Sequence, residues 1–396
     1  MTPRERFLQT MLFGTPDRIP YQFGGPREST FNAWYKQGLP RGIDWDRFVG
    51  HDHWETVPIN LQALPAFETV VLEEDSVHKV WIDEMGAKRI DHKKLPTPGF
   101  VTRTYLEFPV KNRSDFDRMT RRFDPNDPGR LPPDWDEQKR RFAGVHDFVL
   151  GIIFPSIFWK VRDWVGFHRI CEMVYDDPVL LQDMMHFVAD FTIEATRRVL
   201  TDCQVDYVYF NEDMCYKTAS MISPAHVREF MWPCYRKLVR HFRQYGVSVL
   251  IMDSDGYIGD MIPLWIDVGI NAVGPVEIAA NNDPIAYRKR FGKNLAMLGG
   301  IDKRELRFDK PRCRAEVLRK VPWLIEQGGY IPGCDHGVPP DIPLRTFLYM
   351  CELIKEIACG GCPDAFEPPC ELEKQLGPIE EMWHPDMALP VDEDDL

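Results

Sequence analysis

The feature that most constrains how this chain folds is a rhythm. Short runs of β-branched and aromatic residues alternate with amphipathic stretches of helical period, and run after run ends in a polar loop. Parallel strands need a crossover between them, and a helix that buries its apolar stripe on the sheet supplies it, so the alternation predicts βαβ units. A strand is expected over 207–210, ending in Asn211, Glu212 and Asp213. The next helix opens at Ser223, an N-cap, with Pro224 at the first helical position; it runs to about residue 245, where Gly246 supplies the stop. A strand over 248–252 then ends in Asp253, Ser254 and Asp255, before a helix over about 258–268. The rhythm continues through 272–276 ending at Glu277, 295–298 ending at Gly299 and Gly300, and 330–331 leading into a loop over 332–341. Upstream, 148–154 and 19–23 read as strands, and an eighth is placed at 55–59.

Polar residues follow at least four successive strands. A closed barrel gathers its strand ends around one mouth, so the expected fold is an α/β (β/α)₈ TIM barrel spanning 1–358. Between residues 68 and 110 the pattern changes to apolar–polar alternation, which predicts an antiparallel excursion inside an insertion of about 60–145. The segment 359–396 contains helix-breaking prolines and ends in clustered acids, and is expected to be a peripheral extension. Its Cys359 and Cys362 have a zinc-ligand spacing, with Cys370 nearby, but a structural metal would need a fourth ligand; free thiols are the expected state of the chain's cysteines.

Charge narrows the function. Lys and Arg number 48 against 61 Asp and Glu, a formal net charge of −13, and no basic stripe is present to neutralise phosphates, so a nucleic-acid partner is not expected. The N-terminal residues lack the apolar run and cleavage site of a signal peptide, and the apolar stretch 148–159 is broken by Gly151 and Pro155. A soluble cytoplasmic enzyme with no membrane partner is the expectation.

Several residues carry candidate chemistry. Asp253 and Asp255 at one strand exit repel each other and need a cation, a proton or a substrate; the alternate spacing puts them on one face only while the backbone stays extended. Asp213, beside Glu212, is a candidate general base, or simply the cap of the following loop. His336, next to Asp335 and Cys334, is the candidate proton-transfer group, because imidazole titrates near neutral pH. Lys217 is read as an anion-binding residue or a solvated surface lysine, and Glu277 as a ligand-orienting group or a loop support.

Linked motifs in order give the chain a family likeness. RERFLQTMLFGTPDRIPYQFGG, NEDMCYKTASMISPAHVREFMWPCYRKL, DSDGYIGDMIPLWIDVGINAVGPVE, LGGIDKREL and GGYIPGCDHGVPPDIP together resemble the uroporphyrinogen decarboxylase superfamily, which includes zinc-dependent methyltransferases that work with corrinoid proteins. The resemblance implies a small-molecule substrate, an anion-binding role for Arg27 after Gly24 and Gly25, and a frequent homodimer. Decarboxylases of porphyrin precursors resemble one another in an arginine-rich loop that is represented here by Arg27 alone, although His336-Gly337 matches their last strand loop. The methyltransferase branch implies zinc or another divalent metal. Cys334 stands at its matching position, with Asp253 and Asp255 where a His-x-Cys pair would fall, so the three form the expected metal set. Methyl transfer in a corrinoid-dependent demethylation system, with a corrinoid protein as partner, is the first expectation. A cofactor-free decarboxylase using His336 and an aspartate is the alternative, and a non-catalytic ligand-binding barrel the second alternative.

Overall fold

The computed structural model describes residues 1–93, 104–143, 147–361, 366 and 370–379. Seven strands form one parallel sheet: β1 (Trp54–Thr56), β6 (Val149–Pro155), β7 (Tyr207–Asn211), β8 (Val249–Asp253), β9 (Ala272–Gly274), β10 (Ala296–Ile301) and β11 (Tyr330–Cys334), hydrogen-bonded in that order. Helices connect them, including Ile157–Val165 and Pro178–Asp202 after β6, Trp232–Gln244 after β7 and Lys310–Gln327 after β10.

The sheet is curled. Laid flat, β6 and β11 would stand about 24 Å apart at the usual strand spacing. Yet the first helix, α1 (Pro3–Met11), packs against both. Its capping box joins Thr2 and Glu5, and Phe7 and Met11, four apart and therefore on one face, enter a buried cluster. Val149, Tyr207, Val249, Ile251, Ala272, Ala296 and Ile331 make up the rest of that cluster, with Trp54 packed on it, so every strand sends a side chain to one interior. The intervening residues, such as Leu150, Val208, Leu250 and Val273, belong to the second core between sheet and helices. This alternation decides which strand-end residues face inward.

Gly151 shows how tightly the interior is filled, since a Cβ there would lie 2.0 Å from the Tyr207 ring. Gly151→Ala is expected to cost about 1–3 kcal/mol of stability, read by urea unfolding, because the ring has to move within a packed layer.

The strand expected at 19–23 is not one. The backbone there makes isolated contacts on both sides: Cys334 N–H donates to Phe23 O at 2.9 Å, and Asp52 N–H donates to Tyr21 O at 3.1 Å. The Asp52 carboxylate, not a backbone carbonyl, accepts Tyr21 N–H at 2.7 Å, and His51 Nε2 accepts Phe23 N–H. Side chains replace the ladder, so the parallel sheet has seven strands among the described residues. The eighth expected strand, by contrast, does form, as β1.

The antiparallel excursion is present as a separate four-stranded sheet, β2 (Val70–Glu74), β3 (His78–Ile82), β4 (Lys88–His92) and β5 (Thr104–Glu107), in sequential order. The helix expected from Ser223 begins there, with Ser223 Oγ accepting His226 N–H, and carries one wider turn over Val227–Met231 before Trp232–Gln244. Residues 370–379 pack on the domain, with Cys370 and Leu372 in the outer core and Gly377 N–H donating to Gly38 O. Cys359 is exposed and Cys370 buried, while Cys362 lies outside the described residues. No helix among the described residues is long and apolar enough to cross a membrane.

Candidate active site

The exits of β7, β8, β9, β10 and β11 carry the ionisable residues. Asp253 closes β8 in the same inward row as Val249 and Ile251, and its Oδ1 accepts Tyr209 O–H at 3.1 Å from the adjacent strand. Asp213 leaves β7 with φ +30°, a conformation that aspartate tolerates better than most residues, and its Oδ1 accepts the backbone N–H of Asp255 at 3.1 Å. That hydrogen bond sets the β8 exit loop against the β7 exit.

Across from them, His336 Nε2 stands 3.0 Å from Asp255 Oδ2, and Arg27 Nη2 stands 3.2 Å from His336 Nδ1. Guanidinium only donates, so Nδ1 is the acceptor and Nε2–H donates to Asp255. Glu277 Oε2 accepts Gly256 N–H at 3.1 Å, and its Oε1 accepts from Lys303 Nζ at 3.1 Å. The preceding Val276 has φ +58°, strained for a β-branched residue, so the β9 exit is held in a costly conformation where it delivers Glu277.

Environment splits the carboxylates into two kinds. Burial, reinforced by the charge of Asp255, raises Asp213 to about 6. Burial, with the charges of Asp213 and Asp255, holds Asp253 well above the usual carboxylate range. Asp255 goes the other way: burial opposes ionisation, but the hydrogen bond and charge of His336, with Lys303 and Arg27, outweigh it. For His336 burial opposes protonation and Asp255 prevails, so the imidazole is raised. Two carboxyls raised above their ordinary range thus stand beside an imidazole–carboxylate pair, a division that suits acid and base roles at one centre.

The arrangement brings together Asp213, Asp253, Asp255, His336, Arg27 and Glu277. Lys217 is exposed in the loop after β7 and makes no hydrogen bond or ion pair among the described residues. Glu212 is structural: its Oε2 accepts Phe158 and Trp159 N–H at the start of the helix Ile157–Val165, and Tyr235 O–H donates to Oε1. Cys334 joins the outer core, one position out of phase with the inward Ile331. Burial pushes its thiol far up, and the charges acting on it are those of Asp335, Lys303 and Asp302.

The implied zinc or other divalent metal fails the test of its donors. Among the described residues no group of three or more His, Cys, Asp or Glu is arranged to hold a metal ion, and Cys334 is separated from Asp253 and Asp255 by the sheet's own alternation. The set Asp253, Asp255 and Cys334 does not assemble.

Two contributors, Tyr209 and Lys303, escaped the sequence reading, and Asp335 stood in it only as a neighbour of His336. Tyr209 was legible in principle, because the alternation Tyr207, Tyr209, Asn211 puts it on the inward face beside Asp253. Lys303 follows Asp302 at the β10 exit, and only the partner Glu277 marks it as a site residue. Asp335, fully buried, accepts Ile278 N–H at 2.8 Å and Lys303 N–H at 3.1 Å, tying three strand exits together.

Comparison with known proteins bears on this centre. Residues 162–357 match the family described as Uroporphyrinogen decarboxylase (URO-D), a segment containing every site residue above except Arg27. A uroporphyrinogen decarboxylase of Legionella pneumophila (strain Lens) is 23% identical over 199 residues, covering 48% of this chain and 52% of that protein. One from Nautilia profundicola is 23% identical over 198 residues, covering 49% and 54%. The chain spans about half the length of the curated relatives it matches. In structure, a methyltransferase from Methanosarcina mazei aligns with a TM-score of 0.58 at 13% identity, covering 90% of this chain and 99% of that one, a likeness of fold. The family match over the strand exits, the curated relatives and the shared fold together support the uroporphyrinogen decarboxylase superfamily as the group this chain is similar to.

Proposed function

We propose that the chain is an acid–base enzyme of the decarboxylase type, a lyase acting on a small or medium organic acid without a metal. The observation that supports this is the placing of Asp253, a carboxyl that burial and neighbouring carboxylates hold well above the usual range, at the strand exits that carry the His336–Asp255 couple. Arg27 and Lys303 supply the cations for the substrate's carboxylate. The C–C bond to that carboxylate breaks, CO₂ leaves, and the electron pair stays on carbon. Asp253 O–H delivers a proton to that carbon, and His336, through Asp213 or solvent, restores it, so one proton is consumed per CO₂ released. A substrate as heavily carboxylated as a porphyrin precursor fits poorly, because Lys217 is turned to solvent and few cations remain at the centre.

Corrinoid-dependent methyl transfer, with a corrinoid protein as partner, is the second reading. It rests on the sequence resemblance, and its expected metal donors do not come together. The discriminating experiment measures CO₂ release from a panel of small aromatic and aliphatic acids, with and without chelator. Turnover that survives chelation and falls by about 10²–10⁴-fold in His336→Ala and Asp253→Asn is expected. Turnover or methyl transfer that depends on bound zinc would overturn the proposal. Turnover untouched by both substitutions would overturn the roles given to His336 and Asp253, and no turnover of any acid by the intact protein would leave a ligand-binding barrel.

A further inference from the structure

The inward rows of the sheet are buried where the strands begin and open toward their exits. Val149 on β6, Tyr207 on β7 and Ala296 on β10 are buried in the inner cluster with Phe7 and Met11. Further along the same rows Ile153 is 43% exposed, while Tyr209 and Leu298 are half-buried. Ile153 is the anomaly, a large apolar side chain on a strand of the central sheet that nothing covers.

Alternation fixes the direction in which Ile153 points. Val149 lies in the inner cluster, and a Cβ on Gly151 would meet the ring of Tyr207, another inner residue. Leu150, Ile152 and Phe154, which alternate with them, are buried in the outer core. The exposed surface of Ile153 therefore faces the interior of the curled sheet and not the helices. It also adjoins the centre. Ile153 pairs in register with Tyr209, whose O–H donates to Asp253 Oδ1 at 3.1 Å. Leu298, four strands away on β10, closes the other side: a Cβ on Gly274 would lie 3.4 Å from Leu298 Cβ and 3.9 Å from Tyr209 Oη. Ile153, the Tyr209 ring and Leu298 thus make an apolar floor beside Asp253. The charges are unevenly placed around it. Asp255, Glu277, Lys303 and His336 follow β8 to β11, whereas β6 ends in Pro155 and Ser156. The mouth is amphipathic, charged on one side and apolar on the other.

We propose that Ile153 determines specificity at this centre, and that the substrate is a monocarboxylic acid whose apolar body lies on Ile153, the Tyr209 ring and Leu298. The inference rests on the proposed reading, in which Arg27 and Lys303 take the carboxylate. Each methylene that covers the floor is removed from water together with the surface beneath it, so affinity grows with apolar length. A second charged group at the far end of the molecule would leave water for a surface with no partner to offer, which selects against dicarboxylates.

Isothermal titration of the intact protein with acetate, butanoate, hexanoate and octanoate varies apolar length at constant charge. Affinity is expected to rise about threefold to fourfold for each methylene that reaches the floor. Octanedioate, the same chain with a carboxylate at its far end, is expected to bind about tenfold or more weakly than octanoate. In Ile153→Gln the rise is expected to flatten, octanoate losing about tenfold relative to acetate. Ile153→Val, which removes one methylene, is the gentler variant and is expected to cost octanoate about threefold to fourfold on the same scale. Acids that bind equally whatever their length, or octanedioate that binds as well as octanoate, overturn this inference and leave the proposed function standing. A rise that persists undiminished in both variants overturns the role of Ile153. Binding of none of the acids overturns both the inference and the reading it rests on.

Discussion

Asp52→Ala is expected to lower the free energy of unfolding by about 3–5 kcal/mol, the cost of breaking a buried ion network by removing its centre. Asp52 Oδ1 accepts from Arg6 Nη1 at 2.6 Å, and Oδ2 accepts from Arg18 Nη1 and from Tyr21 N–H, both at 2.7 Å. Its side chain is 3% exposed and that of Arg6 9%, so the deletion removes a buried acceptor from Arg6, which keeps its pair with Asp17, and from Arg18. The same carboxylate holds the segment 19–23, which leads through Gly24 to Arg27. Turnover is therefore expected to fall with stability, even though Asp52 touches nothing at the strand exits. Urea unfolding of Asp52→Ala beside Asp52→Asn measures it: asparagine keeps acceptor and shape, and its loss should be intermediate. Equal and small losses would show that the isolated backbone contacts of 19–23 suffice without the carboxylate.

Asp213→Asn is expected to act in the opposite direction on stability while damaging function. A carboxyl raised to about 6 in the folded chain, from an ordinary value of 3.8, binds its proton more tightly folded than unfolded. Above the folded value this costs stability; below the ordinary value both states are protonated and the cost is gone. Asparagine keeps the acceptor for Asp255 N–H and removes the charge. A gain of about 3 kcal/mol at pH 7.5, vanishing as the pH falls below about 4, is therefore expected from urea unfolding across pH. A loss of stability at pH 7.5 would mean that the charge of Asp213 is structurally required. The pair His336–Asp255 behaves differently: the raised imidazole supports the fold until pH climbs through its folded value, and the lowered carboxylate does so until pH drops through its own.

Much of this was legible in the chain's rhythm, because a parallel strand must be followed by a crossover and strand exits gather their loops. The run 19–23 misled because its composition suits a strand, while the partners that satisfy it are the side chains of Asp52 and His51, which periodicity does not register. Cys334 misled for a different reason. Motif position placed it with Asp253, but alternation along Tyr330–Cys334, with Ile331 inward, sends it to the opposite face. Lys303 and Lys217 exchanged places: one short loop buries a lysine against Glu277, and a longer one leaves the other in solvent. Loop lengths of that kind are set by tertiary packing and carry no local signature.

The central claim is that His336 and Asp255 work as one hydrogen-bonded couple at the strand exits. Nitrogen-15 NMR titration of His336 tests it directly, in the intact protein and in Asp255→Asn. The imidazole should titrate above its ordinary value of about 6.5 with the carboxylate present, with the neutral form carrying its proton on Nε2, and should fall below that value in the variant. An unshifted histidine, indifferent to the substitution, would contradict the account.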